Sequence, residues 1–417
     1  MIEVLKNAFK VEELRNKLLF TLAMLLVFRI GVHVPVPGVN RTVIENLVNS
    51  GQLLGFFDVI SGGAFKNFSV FAMSITPYVN ASIILQLLTV VIPALEKLSK
   101  DSDGRKKIAS YTRYFTVILA FIQAIGISVG LQSALLTPGW SSVLLISLSL
   151  TAGTAFLMWL GELINDKGIG NGISMIIFAG IVSRIPSGIY TMYEYLRAGT
   201  TNFLVILVVL VVAVLMVAAV VCLNEGQRRV PVQYAKRVVG RKVYGGQSTH
   251  IPLKVNQAGV IPIIFAMTIL MFPGTIASWF PNSSFAVGVA GFFDFNKIWY
   301  QLFYAVLIVF FTFFYSAITL NVMDIADNMK KYGGFIPGLR PGRPTSDYLQ
   351  KISERITLAG AIFLALIAVI PSLLMKLTSL PLYLGSTSLL IVVGVALDTM
   401  KQMESQLLMR NYQGFLK

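Results

Sequence analysis

FFDVISGGAFKNFSVFAMSITPYVNASIILQLL, residues 56–88, enters an apolar run in an unusual way. Asp58, the Gly62-Gly63 pair and Lys66 stand directly before the run, and Pro77 lies near its middle. An ordinary membrane span needs no half-apolar stub ahead of it. Read from residue chemistry alone, the stub is an ordinary re-entrant or interfacial turn, and its two adjacent glycines weaken helix propensity.

The surrounding chain says what the stub enters. Over 417 residues it is 55% hydrophobic and 13% charged, with a mean hydropathy of +0.74. Soluble proteins carry about 25% charged residues. The charges are also clustered, leaving long apolar stretches between them, which is the pattern of a polytopic all-α membrane protein. The N-terminal MIEVLKNAFKVEELRNK is charged and lacks a cleavable signal pattern, so the first span is expected to act as the insertion signal.

A helix needs about 20 residues to cross the hydrocarbon core. Apolar runs between charge clusters place spans at 18–34, 68–92, 111–130, 143–163, 173–189, 203–223, 258–280, 298–323, 356–375 and 381–400. Ten spans put both termini on one side. The N-terminal segment 1–17, the loops after the even-numbered spans and the tail 401–417 hold nearly all the basic residues. The other side has Arg41, Lys66, Arg184, Arg197, Lys297 and Lys376, while Arg29 falls within the first span. By the positive-inside rule the basic side, with both termini, is cytoplasmic.

Topology accounts for most of the +15 net charge. Two cytoplasmic loops, 224–256 and 326–355, are longer and more basic than topology requires. The first alternates valine with polar residues around Gly240, which predicts a protruding β-hairpin. Together they would make a basic promontory for an anionic partner such as ribosomal RNA, or for an acidic protein surface.

Catalytic chemistry is absent from the pattern. Cys222 is the single cysteine, so neither a disulfide framework nor a CxxC site exists. His33 and His250 are far apart in sequence, and no GxSxG, HExxH or phosphate-cradling motif occurs. NDKGIGNGIS (165–174) has GxGxG spacing but joins two spans, and reads as a tight inter-helix turn. Glu162, Asp324 and Asp398 fall at span ends, leaving no mid-membrane carboxylate for an ion-coupled pump. No enzyme activity, metal or cofactor is expected.

Mid-span positions carry branched aliphatic residues instead. Ile75 and Val79 straddle Pro77 at helical i, i+4 spacing; Ile173 and Ile177 open the fifth span; Ile264 follows Pro262; Ile391 lies in the tenth span. Residue type alone cannot separate these six from lipid-facing isoleucines.

A resemblance can. GGAFKNFSVFAMSITPYVNASIILQLLTVVIP, GRKKIASYTRY, FLMWLGELINDKGIGNGISMIIFAGIV, YAKRVVGRKVYGGQSTHIPLKVNQAGVIPIIFA and GLRPGRPT resemble the signature segments of the SecY family, the central subunits of bacterial protein-translocation channels. The likeness runs over essentially the whole chain. It implies two five-span halves, 18–189 and 190–400, related by a pseudo-two-fold axis and closing like a clamshell around an hourglass pore. Its waist would be ringed by Ile75, Val79, Ile173, Ile177, Ile264 and Ile391. The stub, about 57–67, would be a plug: a short, marginally held helix in the outer funnel, including Phe57, Asp58, Ser61, Gly62, Gly63, Ala64 and Phe65. There Asp58 and Lys66 would face a water-filled vestibule.

The resemblance also implies a lateral gate between spans two and three on one side and seven and eight on the other. Thr76, Asn80, Gln86, Gln123 and Thr268 are its polar candidates, with Thr76, Asn80 and Gln123 preferred. Arg340 would couple to the motor ATPase SecA, while Arg228, Arg229, Lys236, Arg237, Arg241 and Lys242 would face ribosome and motor. Small SecE and SecG subunits, signal sequences, unfolded polypeptides and membrane lipid complete the expected partners. The expected setting is the cytoplasmic membrane of a bacterium. A secondary transporter would instead need a polar site where these isoleucines stand, and an insertase without a through-pore would not need the stub.

Overall fold

The computed structural model describes residues 8–50, 58, 61–131, 134–137, 139–234, 237–239, 242–244, 248–257, 259–278, 283–293, 297–378 and 386–414. Helix α1 (Glu12–Gly31) buries Leu14, Thr21 and Phe28, one residue per heptad, so only a narrow stripe faces protein. Its acidic start, Glu12 and Glu13, and its basic end, Arg29, both suit the helix dipole. A short α2 (Arg41–Ser50) follows.

The second expected span is shortened. Residues 61–75 run as consecutive turns, and the helix α3 occupies Thr76–Val91 instead of starting at 68. Proline explains where the helix can begin: Pro77 lacks an N–H but fits a first helical turn. The turns ahead of it are held by Phe68 and Ser74 at φ of 42° and 52°, unusual for residues with a Cβ. Antiparallel backbone bonds Val36 N→Phe68 O (3.0 Å) and Val70 N→Val34 O (3.0 Å) tie this coil to the end of α1. At the other end Ile92 is extended, as a residue before proline prefers, and α4 (Pro93–Lys100) leaves α3 at 108°.

Helices α5 (Ser102–Gly130) and α6 (Trp140–Lys167) pack as an antiparallel pair. After the 168–171 turn come α7 (Gly172–Val182), α8 (Ile185–Arg197) and α9 (Phe203–Glu225). Helix α9 is apolar all round and buries only Val209, Met216, Val220 and Leu223, as a helix bathed in lipid would. Then follow α10 (Ile261–Ser278), α11 (Ser284–Phe292), α12 (Ile298–Thr319), α13 (Val322–Lys331), α14 (Arg343–Thr378) and α15 (Ser386–Gly414).

Among the described residues six helical segments are long and apolar enough to cross a membrane, or seven if bent α3–α4 is one span. Helices α1, α10 and α15 lie where the other three spans are expected.

The expected hairpin in 224–256 is present. Strands β1 (Gln227–Tyr234) and β4 (Ser248–Lys254) pair antiparallel from Gln227↔Lys254 to Gln233↔Ser248. Beyond them β2 (Arg237–Val239) pairs with β3 (Lys242–Tyr244), Val238 opposite Val243, around Gly240. The second basic loop joins the same sheet, because β5 (Gly334–Phe335) pairs with β1 through Gln233↔Phe335. Alternation puts Val230 and Val232 on the buried face, over Val322, Met329, Ile336 and Leu349.

Candidate pore constriction and stopper

Ile75 precedes the first turn of α3 and accepts the Val79 N–H at 3.0 Å, which stacks the two side chains along one face. Ile177 projects from α7, Ile264 from α10 and Ile391 from α15. All belong to one apolar cluster: Ile75, Ile177 and Ile391 are buried, with Val79, Ile173 and Ile264 half-buried against them. Ile173 lies to one side. It leans on Gly161 of α6, where an added Cβ would come within 2.7 Å of its Cδ1. Elements from both parts of the chain thus converge on one aliphatic junction.

The turn segment 61–75 reaches the same junction. Ala64, Phe71 and Ile75 are members of the cluster, and Phe71 stacks on Phe28 with ring centroids 6.2 Å apart. Of the expected plug residues, Phe57 lies outside the described residues. Asp58, Ser61, Gly62, Gly63, Ala64 and Phe65 form a knot whose interior is polar. Asp58 Oδ1 accepts the Lys66 backbone N–H at 2.7 Å, its carbonyl accepts the Gly63 N–H at 2.9 Å, and Ser61 Oγ accepts the Phe65 N–H at 3.1 Å. Over 61–67 the conformation is turns, where a short helix is expected.

Two cations grip this knot. Arg184, at the start of α8, forms an ion pair with the other carboxylate oxygen of Asp58. Arg29 Nη1, from α1, lies 2.8 Å from the Gly62 carbonyl oxygen and 2.9 Å from Ser183 Oγ. Asp58 is 4% exposed, so it faces protein and not a watery vestibule; burial is tolerated because an opposite charge and an N–H meet its two oxygens. Lys66 does lie nearer solvent, paired with Glu45 at 2.8 Å. The glycines serve backbone geometry. Gly62 and Gly63 have φ of 66° and 94°, and Gly62 approaches the Gly180 backbone of α7 so closely that a Cβ would sit 2.7 Å from Gly180 Cα. Arg29, Ser183 and Arg184 are the site residues that sequence reasoning missed. The available signal was two arginines in or beside apolar spans on the side otherwise poor in basic residues.

Along the expected seam, Ile83 and Val79 of α3 share a core with Ile263, Met267, Leu270 and Met271 of α10, which also meets α5. Asn80 is buried with its Oδ1 unpartnered among the described residues; Thr76, Gln123 and Thr268 are half-buried, and Gln86 is exposed. The seam is mostly apolar. On the basic promontory Arg228, Arg229 and Arg340 are exposed. Arg237 and Lys242 belong to the β2–β3 hairpin, and Lys236 and Arg241 lie outside the described residues. Among the described residues no group of three His, Cys, Asp or Glu side chains could hold a metal.

Distant helices share one aliphatic junction with the turn segment ahead of α3, and comparison with known proteins decides the family. A SecY family model matches residues 69–400. The chain belongs to the SecY family. The SecY protein translocase subunit of Halalkalibacterium halodurans is 49% identical over 431 residues, covering 100% of both chains. Among solved structures, a SecY channel whose plug domain is described as stabilising the closed state and maintaining a membrane seal aligns with TM-score 0.68 at 17% identity, covering 94% of this chain and 92% of that one. Sec61 from the canine ribosome–channel complex of the endoplasmic reticulum aligns with TM-score 0.64 at 16% identity, over 94% and 92%. The fold is therefore the SecY/Sec61 channel fold, and this SecY-family chain is a multi-pass membrane protein.

Proposed function

We propose that the chain is the protein-conducting channel of a bacterial Sec translocase. It passes unfolded secretory polypeptides across the cytoplasmic membrane and releases hydrophobic segments sideways into lipid. It is not an enzyme; the driving energy comes from SecA or from the translating ribosome. The reading takes ten spans in two five-helix halves, with both termini cytoplasmic. Ile75, Val79, Ile173, Ile177, Ile264 and Ile391 form the waist, and the segment from 57 to 67 plugs it.

One observation carries this reading: the six aliphatic residues, drawn from four helices and the turn before α3, gather in a single cluster that also contains Ala64 of the stopper. Branched apolar groups at a constriction discourage a continuous water column, so ions are held back by dewetting. They bind no peptide group strongly, so a chain can slide past while they close around it.

The gate opens between α3–α5 and α10–α12, along a seam whose polar candidates are Thr76, Asn80, Gln86, Gln123 and Thr268. An interhelical hydrogen bond from such a residue is worth about 1 kcal/mol in membranes, weak enough to yield to a signal helix. Arg228, Arg229, Lys236, Arg237, Arg241, Lys242 and Arg340 dock the ribosome and SecA. Support for the ribosome comes from the Sec61 relative and from the β1–β5 pairing that unites the two basic loops. SecE and SecG cover parts of the lipid-facing surface.

Cysteines placed at Ile75 and Ile264 test the pore. Both should crosslink to a secretory chain stalled in transit. Labelling that a small solute protects, without such adducts, would identify a solute carrier instead.

A further inference from the structure

We infer that Asp58 and Arg184, backed by Arg29, are an electrostatic latch whose strength depends on the dryness of the closed channel. The inference rests on reading the segment from 57 to 67 as the stopper and names the residues that position it.

The knot is polar at its heart and apolar at its rim. Asp58 binds the knot together, its backbone carbonyl accepting the Gly63 N–H and its carboxylate the Lys66 N–H, and that same carboxylate is the group that Arg184 holds. Arg29 adds a second tether on the Gly62 carbonyl and shares Ser183, the residue preceding Arg184. Ser183 in turn donates to the Gly180 carbonyl at 2.7 Å, fixing the end of α7 against which Gly62 packs. Helix α1 and the start of α8 therefore hold one short segment by a hydrogen bond and a charge, while α7 packs against it.

The physics of such a pair is bistable. In a dry site the attraction between opposite charges is strong, and removing one partner strands the other at high cost. Once water enters beside an inserted polypeptide, the local dielectric rises and both groups are solvated. The attraction then collapses and the whole knot is released together. A latch of this kind is firm in the resting channel without hindering the open one.

The full-length chain, reconstituted with its membrane partners, can be measured for resting ion conductance in planar bilayers. Asp58→Asn keeps the shape and an acceptor for the Lys66 N–H but removes the charge; Arg184→Gln removes the other partner. Each should raise resting conductance about tenfold, and the double variant should rise no further than either alone. Retained polypeptide translocation verifies that each variant is folded. Glu45→Gln, which breaks only the solvent-exposed pair with Lys66, should match the unaltered chain. Single variants that stay sealed while deletion of 58–66 conducts would overturn the latch and spare the stopper reading. Additive single effects would also overturn it, since the two groups would then act separately. If the deletion itself stays sealed, the stopper reading fails and the latch with it.

Discussion

Gly62 lies against Gly180 with no room between them: a Cβ on Gly62 would stand 2.7 Å from Gly180 Cα and 3.1 Å from its carbonyl oxygen. With φ at 66°, the position is also costly for any residue with a side chain, by roughly 1–2 kcal/mol before the clash is counted. Gly62→Ala should therefore lift the knot off α7. The expected outcome is a resting ion leak together with faster modification of a cysteine introduced at Ala64. A sealed channel with an unreactive cysteine would show that the contact is dispensable.

The aliphatic junction makes a second expectation. Ile75 and Ile391 are 1% and 3% exposed, and replacing either with Asn puts an amide where the neighbours are hydrocarbon. An unpaired buried amide costs about 1–3 kcal/mol, which water can relieve by entering. Ile75→Asn and Ile391→Asn should increase ion conductance while a polypeptide is threading. Ile→Val at the same positions should leave it low. Conductance recorded with a stalled chain in place distinguishes the two.

Asn80 buries an Oδ1 that has no partner among the described residues, at the seam between α3 and α10. Asn80→Leu removes that unmet demand and should steady the closed gate by roughly 1 kcal/mol. Weakly hydrophobic signal sequences should then be released into lipid less efficiently, while strongly hydrophobic ones are little affected. Membrane-integration assays with a graded signal series would read the difference.

Where α6 crosses the turn segment, a Cβ on Gly153 would overlap the Val70 carbonyl, backbone against backbone. Gly153→Ala should destabilise the protein by about 1–3 kcal/mol or shift the coil. Gly288 of α11 has open space around it, so Gly288→Ala should be neutral or slightly stabilising. Thermal unfolding in detergent should rank the two in that order.

Arg228 and Arg229 are exposed at the start of β1. If they meet ribosomal RNA phosphates, the double Arg→Ala variant should weaken ribosome binding and reduce the slope of log affinity against log salt by about two. An unchanged slope would place the RNA elsewhere on the promontory.

Particular residues show where sequence reading works here and where it stops. The valine alternation around Gly240 foretold the β2–β3 hairpin because a strand's two faces must differ in polarity. Apolar runs marked the helices because every residue facing lipid must be apolar, a local requirement. The start of α3 was misplaced by eight residues. Nothing in NFSVFAMSI forbids a helix; its turns are held by bonds within the segment and by backbone bonds to 34–36. The role assigned to Gly62 and Gly63 was likewise too general: weak helix propensity is a property of any glycine, whereas the approach to Gly180 belongs to this fold.

By itself, the amino-acid sequence determined that the chain is helical and apolar, which basic loops it carries and, through its motifs, which family it joins. Those properties follow from local composition and spacing. Tertiary structure decided that Asp58 meets Arg184, that Arg29 reaches Gly62 and that Ile75 and Ile391 share one core. Each of these pairs residues too far apart along the chain for any spacing rule, and only folding brings them within bonding distance.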